Sequence, residues 1–146
     1  MRFMMMIKAN DQTEAGVMPT LELIDAMGKY NEQMVKAGVL LDAAGLQASS
    51  RGARVLLDGA KRTVVDGPFS EARELIAGFW MIQVKSKEEA VEWARRCPAD
   101  PAAGPGEIEL RQVFEVADFA PDTFPAGLTD TEMEQRYGIA PGSQPA

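Results

Sequence analysis

Residues 76 to 97, IAGFWMIQVKSKEEAVEWARRC, join an apolar run to a capped helix. The run Ile76 to Val84 is rich in aromatic and β-branched residues and predicts a strand. SKEE then fits a capping box, in which Ser86 and Glu89 each satisfy a free backbone donor at the helix start. Pro98 ends the helix, whose buried stripe consists of Ala90, Trp93, Ala94 and Cys97. The stretch therefore predicts a strand that leads directly into an amphipathic helix.

A second unit of the same kind opens the chain. Residues 3 to 7, FMMMI, form a continuous apolar run, which predicts a strand covered on both faces. After a loop, Thr20 caps a helix that Gly38 ends, and this helix carries apolar residues on one face, at Leu23, Met27, Tyr30 and Met34. The chain thus contains two strand–helix units.

The remaining elements are strands. Residues 39 to 43 and 46 to 48 predict a second strand with a break at Gly45, and residues 108 to 114 alternate as in a half-exposed strand. Residues 53 to 66 place two β-prone runs around a turn in which Gly59 takes a positive φ. The order β-α-β, hairpin, β-α-β predicts an α+β, ferredoxin-like split βαβ sandwich with an inserted β-hairpin.

Both helices of such a sandwich lie on one face of the sheet. The runs FMMMI and GFWMI are apolar at successive positions, so the second face needs a cover as well. A second subunit packed sheet to sheet is the simplest cover, and it predicts a homodimer. The C-terminal tail, folded back over the sheet, is the alternative.

The composition excludes several kinds of chemistry. The 146 residues include no histidine and a single cysteine, Cys97. Nucleophile systems that use imidazole, zinc sites with histidine ligands and cysteine metal clusters are therefore excluded. Gly104-Pro105-Gly106 lacks the Lys and Ser/Thr of a phosphate-binding loop. We predict no metal and no cofactor, and chemistry based on carboxylates, hydroxyls, amines, phenols or backbone groups.

The net charge of −7 is concentrated near the C-terminus. Residues 1 to 99 hold 13 basic and 13 acidic side chains, whereas residues 100 to 146 hold 2 basic and 9 acidic ones. Without a basic patch to neutralise phosphates, we predict no contact with nucleic acid. The apolar runs are too short to span a bilayer, and the N-terminus lacks the features of a signal peptide, so we expect a cytoplasmic protein without membrane contact.

The sequence divides near residue 119. We expect one α+β domain over residues 1–119 and an acidic tail, rich in proline and glycine, over residues 120–146. The capping box Thr129-Asp130-Thr131-Glu132 predicts one short helix in this tail. The last nine residues, GIAPGSQPA, are expected to be disordered.

Several motifs in order resemble a known family. DGPF at residues 66 to 69, followed by SEARELIAGFWMIQVKSKEEAVEWARRCP and EIELRQVFE, resembles the DGPF branch of the YCII-related proteins. MRFMMMIKAN, AGVMP and KAGVLLDAAGLQASSRGARV resemble the same branch, so the likeness covers residues 1 to 119. It implies a ferredoxin-like subunit that pairs into a dimeric α+β barrel.

The resemblance also bears on function. One branch of the family is thought to use a His/Asp pair in acid–base chemistry on small molecules, and DGPF proteins have a loose link to transcription initiation. Gln47 stands where DGPF proteins often carry a histidine, and glutamine forms hydrogen bonds but does not shuttle protons near neutral pH.

The tetrapeptide Asp66-Gly67-Pro68-Phe69 has two interpretations. As a turn, Asp66 accepts backbone amides, Gly67 and Pro68 set the backbone, and Phe69 pins the loop to the core. As the rim of a cleft, Asp66 is the candidate catalytic acid or base. Glu71 and Glu74 would modulate it, because a carboxylate desolvated beside like charges has a raised pKa. We interpret the motif as a turn first.

Candidate ligand-binding side chains lie elsewhere in the chain. Tyr30 lies on a helical apolar stripe that also suits a core tyrosine, and Phe79 and Trp80 point to opposite sides of one strand. Arg111 either anchors an anionic ligand or forms a cross-strand ion pair. The full set of candidates is Tyr30, Gln47, Phe69, Trp80 and Arg111.

Two functions of different classes remain open on the sequence. The first is binding of a small molecule in a cleft between sheet, hairpin and DGPF loop, with or without carboxylate acid–base chemistry. The alternative is a non-enzymatic regulatory or adaptor protein whose acidic tail meets a basic partner. The sequence leaves open whether the protein is an enzyme.

Overall fold

The computed structural model describes residues 1 to 140. The main sheet consists of β1 (Arg2–Lys8), β2 (Leu40–Gly45), β5 (Ile76–Gln83) and β6 (Ile108–Gln112). A separate hairpin consists of β3 (Ala53–Asp58) and β4 (Lys61–Asp66). The helices are α1 (Asp11–Glu14), α2 (Leu21–Lys36), α3 (Lys87–Arg95) and α4 (Asp130–Tyr137).

The main sheet has the spatial order β2-β5-β1-β6, and all its pairings are antiparallel. The units β1-α2-β2 and β5-α3-β6 interleave, so each helix connects strands that are not neighbours in the sheet. The predicted α+β ferredoxin-like class, with an inserted hairpin, is confirmed. No helix within residues 1 to 140 has the length and apolar character that crossing a membrane requires.

Local side-chain contacts explain where the helices begin. The Thr20 hydroxyl accepts a hydrogen bond from Leu23 N at 3.2 Å, and the Ser86 hydroxyl accepts one from Glu89 N at 3.1 Å. The Glu89 carboxylate accepts from Lys85 N, one residue before the predicted partner. The two hydroxyl contacts each satisfy a donor that the helix itself leaves unpaired, and the Glu89 contact ties the residue before the cap to the first turn.

The core lies between the sheet and the two long helices. Its buried residues are Phe3, Met5, Tyr30, Met34, Val39, Trp80, Ile82, Val84, Ala90 and Trp93. Tyr30 and Trp80 pack edge to face with ring centroids 5.8 Å apart, and the Tyr30 hydroxyl donates to the Trp93 carbonyl at 2.7 Å. The predicted helical stripes therefore meet one face of the strands.

The second face of the sheet, as we call the side away from α2 and α3, is apolar and only partly covered. Alternation along β1 and β5 places Met4, Met6, Phe79 and Met81 there, and all four are half-buried. These four side chains are therefore neither fully buried nor fully exposed within the chain.

Two local predictions were wrong. The expected loop after β1 contains α1, which a reciprocal contact between Asn10 and Thr13 caps. Residues 46 to 48 do not extend β2, whose pairing with β5 ends after one further hydrogen bond, from Leu46 N to Ala77 O at 2.8 Å. After β1, the reciprocal capping contacts favour a short helix over the expected loop.

The C-terminal segment, residues 113 to 140, is ordered around a row of aromatic rings. Ring centroids lie 5.2 Å apart for Phe114 and Phe119, 5.1 Å for Phe119 and Phe124, and 4.9 Å for Phe124 and Tyr137. The predicted helix is present as α4, with the predicted capping box.

The expected disorder of the last nine residues is wrong where the structure describes them. Ile139 is buried, and Ala140 forms a bridge with Glu115. Residues 141 to 146 of that prediction lie outside the described residues.

Candidate functional site

The DGPF loop, Asp66 to Phe69, leaves the hairpin at the end of β4 and packs tightly on residues 49 to 52. Gly67 N donates to Gly52 O at 3.0 Å, and the Gly67–Pro68 peptide is cis. A Cβ atom on Gly67 would lie 1.8 Å from the Ser49 carbonyl oxygen. Glycine is required here because no side chain fits against that backbone.

Ser49 connects three separate parts of the chain. Its hydroxyl accepts a hydrogen bond from Phe69 N at 3.0 Å and donates to Glu14 Oε2, while Ser49 N donates to Glu14 Oε1 at 3.0 Å. We call Glu14, Ser49 and Phe69 the Ser49 clamp. It ties α1, the turn after β2 and the DGPF loop to one corner of the molecule, where β1 and β2 end and β5 begins.

The clamp also sets the charge state of its carboxylate. Hydrogen bonds from the Ser49 hydroxyl and the Ser49 amide lower the pKa of Glu14 from its ordinary value of 4.5. Both bonds favour the ionised form because a carboxylate accepts them and a neutral acid accepts them less well. Glu14 is therefore anionic and engaged at neutral pH, which suits a positioning role.

The corner presents polar groups around this clamp. The Arg54 guanidinium lies over the Phe69 ring, 3.8 Å from its centroid. Asp66 and Gln47 are exposed, Asp66 at the base of the hairpin and Gln47 two residues before Ser49. We call Gln47, Arg54, Asp66 and Phe69 the corner site. It combines an amide, a cation, a carboxylate and an aromatic ring.

Comparison with known proteins shows the family of the chain. A sequence profile described as the YCII-related domain matches residues 1–117. The chain belongs to the YCII-related family. It is also 35% identical over 90 residues to an uncharacterized protein of Rhizobium meliloti (strain 1021), and the match covers 61% of this chain and 73% of that protein.

The structure of this YCII-related protein brings three candidate residues to the corner site: Gln47, Asp66 and Phe69. Glu71 and Glu74 lie close by in sequence, at a short turn over residues 72 to 74, and both are exposed. The sequence suggested that Asp66 is shielded from water beside Glu71 and Glu74. The structure does not show this, because all three carboxylates are exposed to solvent.

Tyr30 and Trp80 lie in the core. They are 3% and 7% exposed, and Trp80 Nε1 donates to Asn31 Oδ1 at 2.8 Å. Burial raises the pKa of the Tyr30 phenol, and it raises the pKa of the Cys97 thiol to about 11. Tyr30 and Trp80 are enclosed in the core, so we leave them out of the corner site.

Arg111 lies far from the corner. It is on β6, at the edge of the sheet opposite β2, and its guanidinium lies 3.7 Å from the Glu109 carboxylate. Glu109 also contacts Lys8 at 3.6 Å. The cross-strand ion pair that the sequence offered as the alternative for Arg111 is therefore wrong among the described residues, because the partner, Glu109, is on the same strand.

Sequence reasoning missed Glu14, Ser49 and Arg54. The Asn10–Thr13 cap was a readable signal for α1, yet nothing in the spacing connects Glu14 to Ser49, 35 positions later. Within residues 1 to 140, no cluster of three or more Asp, Glu or Cys side chains is arranged to hold a metal ion.

Glu14→Gln tests the clamp through pH. The lowered pKa means that the carboxylate stabilises the folded protein above pH 4.5, and that this contribution is lost as the pH falls through the folded-state value. We therefore expect Glu14→Gln to be less stable than wild type at neutral pH and to approach it in acid. Urea unfolding from about pH 7 to about pH 3 measures this.

Glu107→Gln, at an exposed carboxylate elsewhere, is the matched control and should show no such convergence. A stability difference between Glu14→Gln and wild type that stays constant across the pH range would contradict the charged clamp.

Proposed function

We propose that this YCII-related protein binds a small polar molecule at the corner site and acts as a homodimer of the DGPF type. The observation that carries the proposal is the Ser49 clamp. It immobilises the DGPF loop through contacts 20 and 35 positions apart in sequence, while leaving the neighbouring polar side chains exposed. Polar groups held on a rigid frame bind ligands with little ordering cost.

The chemistry of the corner suits a ligand with both charged and flat apolar parts. Arg54 supplies a guanidinium that pairs with carboxylate or phosphate oxygens, and its stacking on Phe69 restricts its orientation. Gln47 and Asp66 add an amide and an acceptor. If the protein is catalytic, Asp66 is the carboxylate of the corner site that could transfer a proton.

A second subunit would complete the site. Two depressions of the chain, of about 310 Å³ on α3 and about 280 Å³ on the C-terminal segment, lie away from the corner. The corner itself is open to solvent. Sheet-to-sheet pairing through Met4, Met6, Phe79 and Met81 would bury the second face and bring another wall towards the corner.

One observation favours the alternative function. The C-terminal segment is ordered and carries six acidic and one basic side chain, a surface suited to a basic protein partner. In this regulatory or adaptor role, deletion of residues 118 to 146 would abolish the partner's binding. A truncated chain that retains all its interactions would exclude the adaptor.

Native mass spectrometry of untagged protein from its own host tests the main proposal. We expect twice the subunit mass plus a reproducible small excess that denaturation removes. Arg54→Ala should lose this excess, whereas Arg95→Ala, at an exposed arginine on α3, should keep it.

Other mass spectra would test the ligand, the dimer and the adaptor role separately. A bare dimer would count against a retained ligand, and a monomer would count against completion of the site by a second subunit. A bound mass of protein size would favour the adaptor.

A further inference from the structure

One row of side chains crosses the second face of the main sheet from edge to edge. It lies at a single level along the strands, because its members pair directly with one another from β2 through β5 and β1 to β6. Directly paired residues share one face of a sheet, and Met4 and Met81 lie on the second face. In spatial order, the row consists of Asp42, Met81, Met4 and Arg111. An acid therefore lies at one edge of this face and a base at the other, with two methionines between them.

Both charged ends of the row are available for a further partner. Asp42 is exposed, forms no ion pair within residues 1 to 140, and accepts a hydrogen bond from the Ala43 amide at 2.8 Å. The Arg111 side chain is 74% exposed, and its contact with Glu109 is 3.7 Å long. An exposed contact of this kind contributes little free energy, so Arg111 is free to pair elsewhere.

We propose that two copies pack second face to second face about a two-fold axis parallel to the strands, so that Asp42 of each chain pairs with the partner's Arg111. This rests on the homodimer proposed above. The axis that overlaps all four strands passes between β5 and β1, the central pair. Rotation about it sets β2 over the partner's β6 and leaves each level along the strands unchanged. Asp42 and Arg111 occupy one level, so each comes to lie over the other.

The resulting interface is self-complementary. Met4 lies over the partner's Met81 in the middle, and the Asp42–Arg111 pair occurs twice, once at each edge. Packed sheets lie about 10 Å apart, a gap that an arginine and an aspartate side chain bridge together. Charged pairs at the rim of an apolar interface fix the orientation of the two partners.

An axis across the strands is the alternative for packing the same two faces. It places each strand over the same strand of the partner, running in the opposite direction. When this axis lies at the level of Met5, the middle of β1, it sets Arg111 over the partner's Glu109. Asp42 then lies over the partner's Ala44, which carries no charge. Asp42 is therefore the residue that distinguishes the two arrangements.

Arg2 favours the axis along the strands. It alternates with the core residue Phe3 and so lies on the second face, where its Nε and Nη2 atoms are enclosed without a hydrogen-bond partner within residues 1 to 140. An unpaired cation shielded from water is costly, and a second cation adds to the cost. The axis across the strands sets Arg2 over the partner's Lys8. The axis along the strands sets it over the partner's Gln83, a neutral amide, because Arg2 and Gln83 pair in the sheet.

Charge reversal at either end of the row tests the arrangement. Asp42→Arg sets two cations over each other at both edges of the dimer, and Arg111→Asp sets two carboxylates there. We expect each change in the full chain to raise the dimer dissociation constant about tenfold by sedimentation equilibrium, since each converts two attractions into two repulsions. A chain that carries both changes should regain the wild-type affinity, because both pairs are then restored with exchanged ends.

A mixture of the two single variants gives a sharper test. In a heterodimer of Asp42→Arg with Arg111→Asp, the two introduced charges face each other at one edge and the two native charges face each other at the other. Native mass spectra of an equal mixture should therefore show more heterodimer than random pairing gives. The axis across the strands predicts random pairing, because position 42 then faces Ala44.

Two controls isolate the effect of charge at this position. Glu32→Arg makes the same charge change as Asp42→Arg at an exposed carboxylate of α2, on the other side of the sheet, and should leave the dimer unaltered. Asp42→Asn removes the charge without reversing it and should weaken the dimer less than Asp42→Arg does.

The outcomes separate this arrangement from the homodimer itself. A dimer that the two reversals do not weaken, or a mixture that pairs at random, overturns the arrangement while the homodimer stands. A wild-type chain that is monomeric overturns both. For a dimer too tight for sedimentation, the rate of subunit exchange between isotope-labelled samples supplies the same comparison.

Discussion

Gly67→Ala should destabilise the protein by about 2 to 4 kcal/mol and release the DGPF loop. The added Cβ would lie 1.8 Å from the Ser49 carbonyl oxygen and 2.6 Å from its carbon. Both are backbone atoms, so relief requires the loop or residues 49 to 52 to move, and the hydrogen bond from Phe69 N to the Ser49 hydroxyl is then lost.

Urea unfolding measures this loss of stability, and hydrogen exchange of the Phe69 amide reports on the loop itself. Gly28→Ala is the matched control. Its Cβ would meet nothing within 4 Å, and it lies inside α2, where alanine is the better helix former. A Gly67→Ala chain as stable as the Gly28→Ala chain would show that the loop is not held against Ser49.

Trp80→Ala should lower the free energy of unfolding by about 3 to 5 kcal/mol. The change opens a cavity in the core beside Tyr30, whose ring packs at right angles to Trp80, and it leaves the Asn31 side chain without its donor. Thermal or urea unfolding at a fixed subunit concentration measures the effect.

The adjacent Phe79→Ala is the comparison. Phe79 lies half-buried on the second face, so its loss should depend on subunit concentration if that face is the dimer interface. Equal, concentration-independent losses for Phe79→Ala and Trp80→Ala would contradict the assignment of the two residues to opposite faces.

Much of the fold could be predicted from the sequence because the interactions that specify it are between residues close together in the chain. The caps at Thr20, Ser86 and Thr129 each involve a donor three residues away, and the positive φ of 56° at Gly59 follows from the turn itself. The alternation of strands also separated Trp80 from Phe79 correctly. These interactions form between near neighbours in sequence, so spacing and residue type are enough to predict them.

The residues of the candidate site could be predicted from the sequence only in part. The turn interpretation of DGPF is right in that the loop packs on residues 49 to 52. Its details are wrong, because among the described residues no backbone amide donates to the Asp66 carboxylate, and Phe69 lies under Arg54 and outside the core cluster. Gln47 came from the likeness to the family. Tyr30 and Trp80 were candidates because aromatic residues that pack in a core and those that line a ligand pocket show the same spacing in sequence. The structure places both rings in the core. Arg111 was separated from the corner by the strand order, which periodicity does not specify.

The sequence by itself determined the element types, their order, the ferredoxin-like class and the excess of acidic residues near the C-terminus. Only the tertiary structure decided that Glu14 and Phe69 meet at Ser49, that Gly67 lies against a backbone carbonyl, and that the hairpin stands uncovered. The physical reason is the separation along the sequence of the residues that interact. Caps and turns depend on neighbours within about four residues, whereas the clamp joins groups 20 and 35 positions apart, which meet only after the sheet has set their positions.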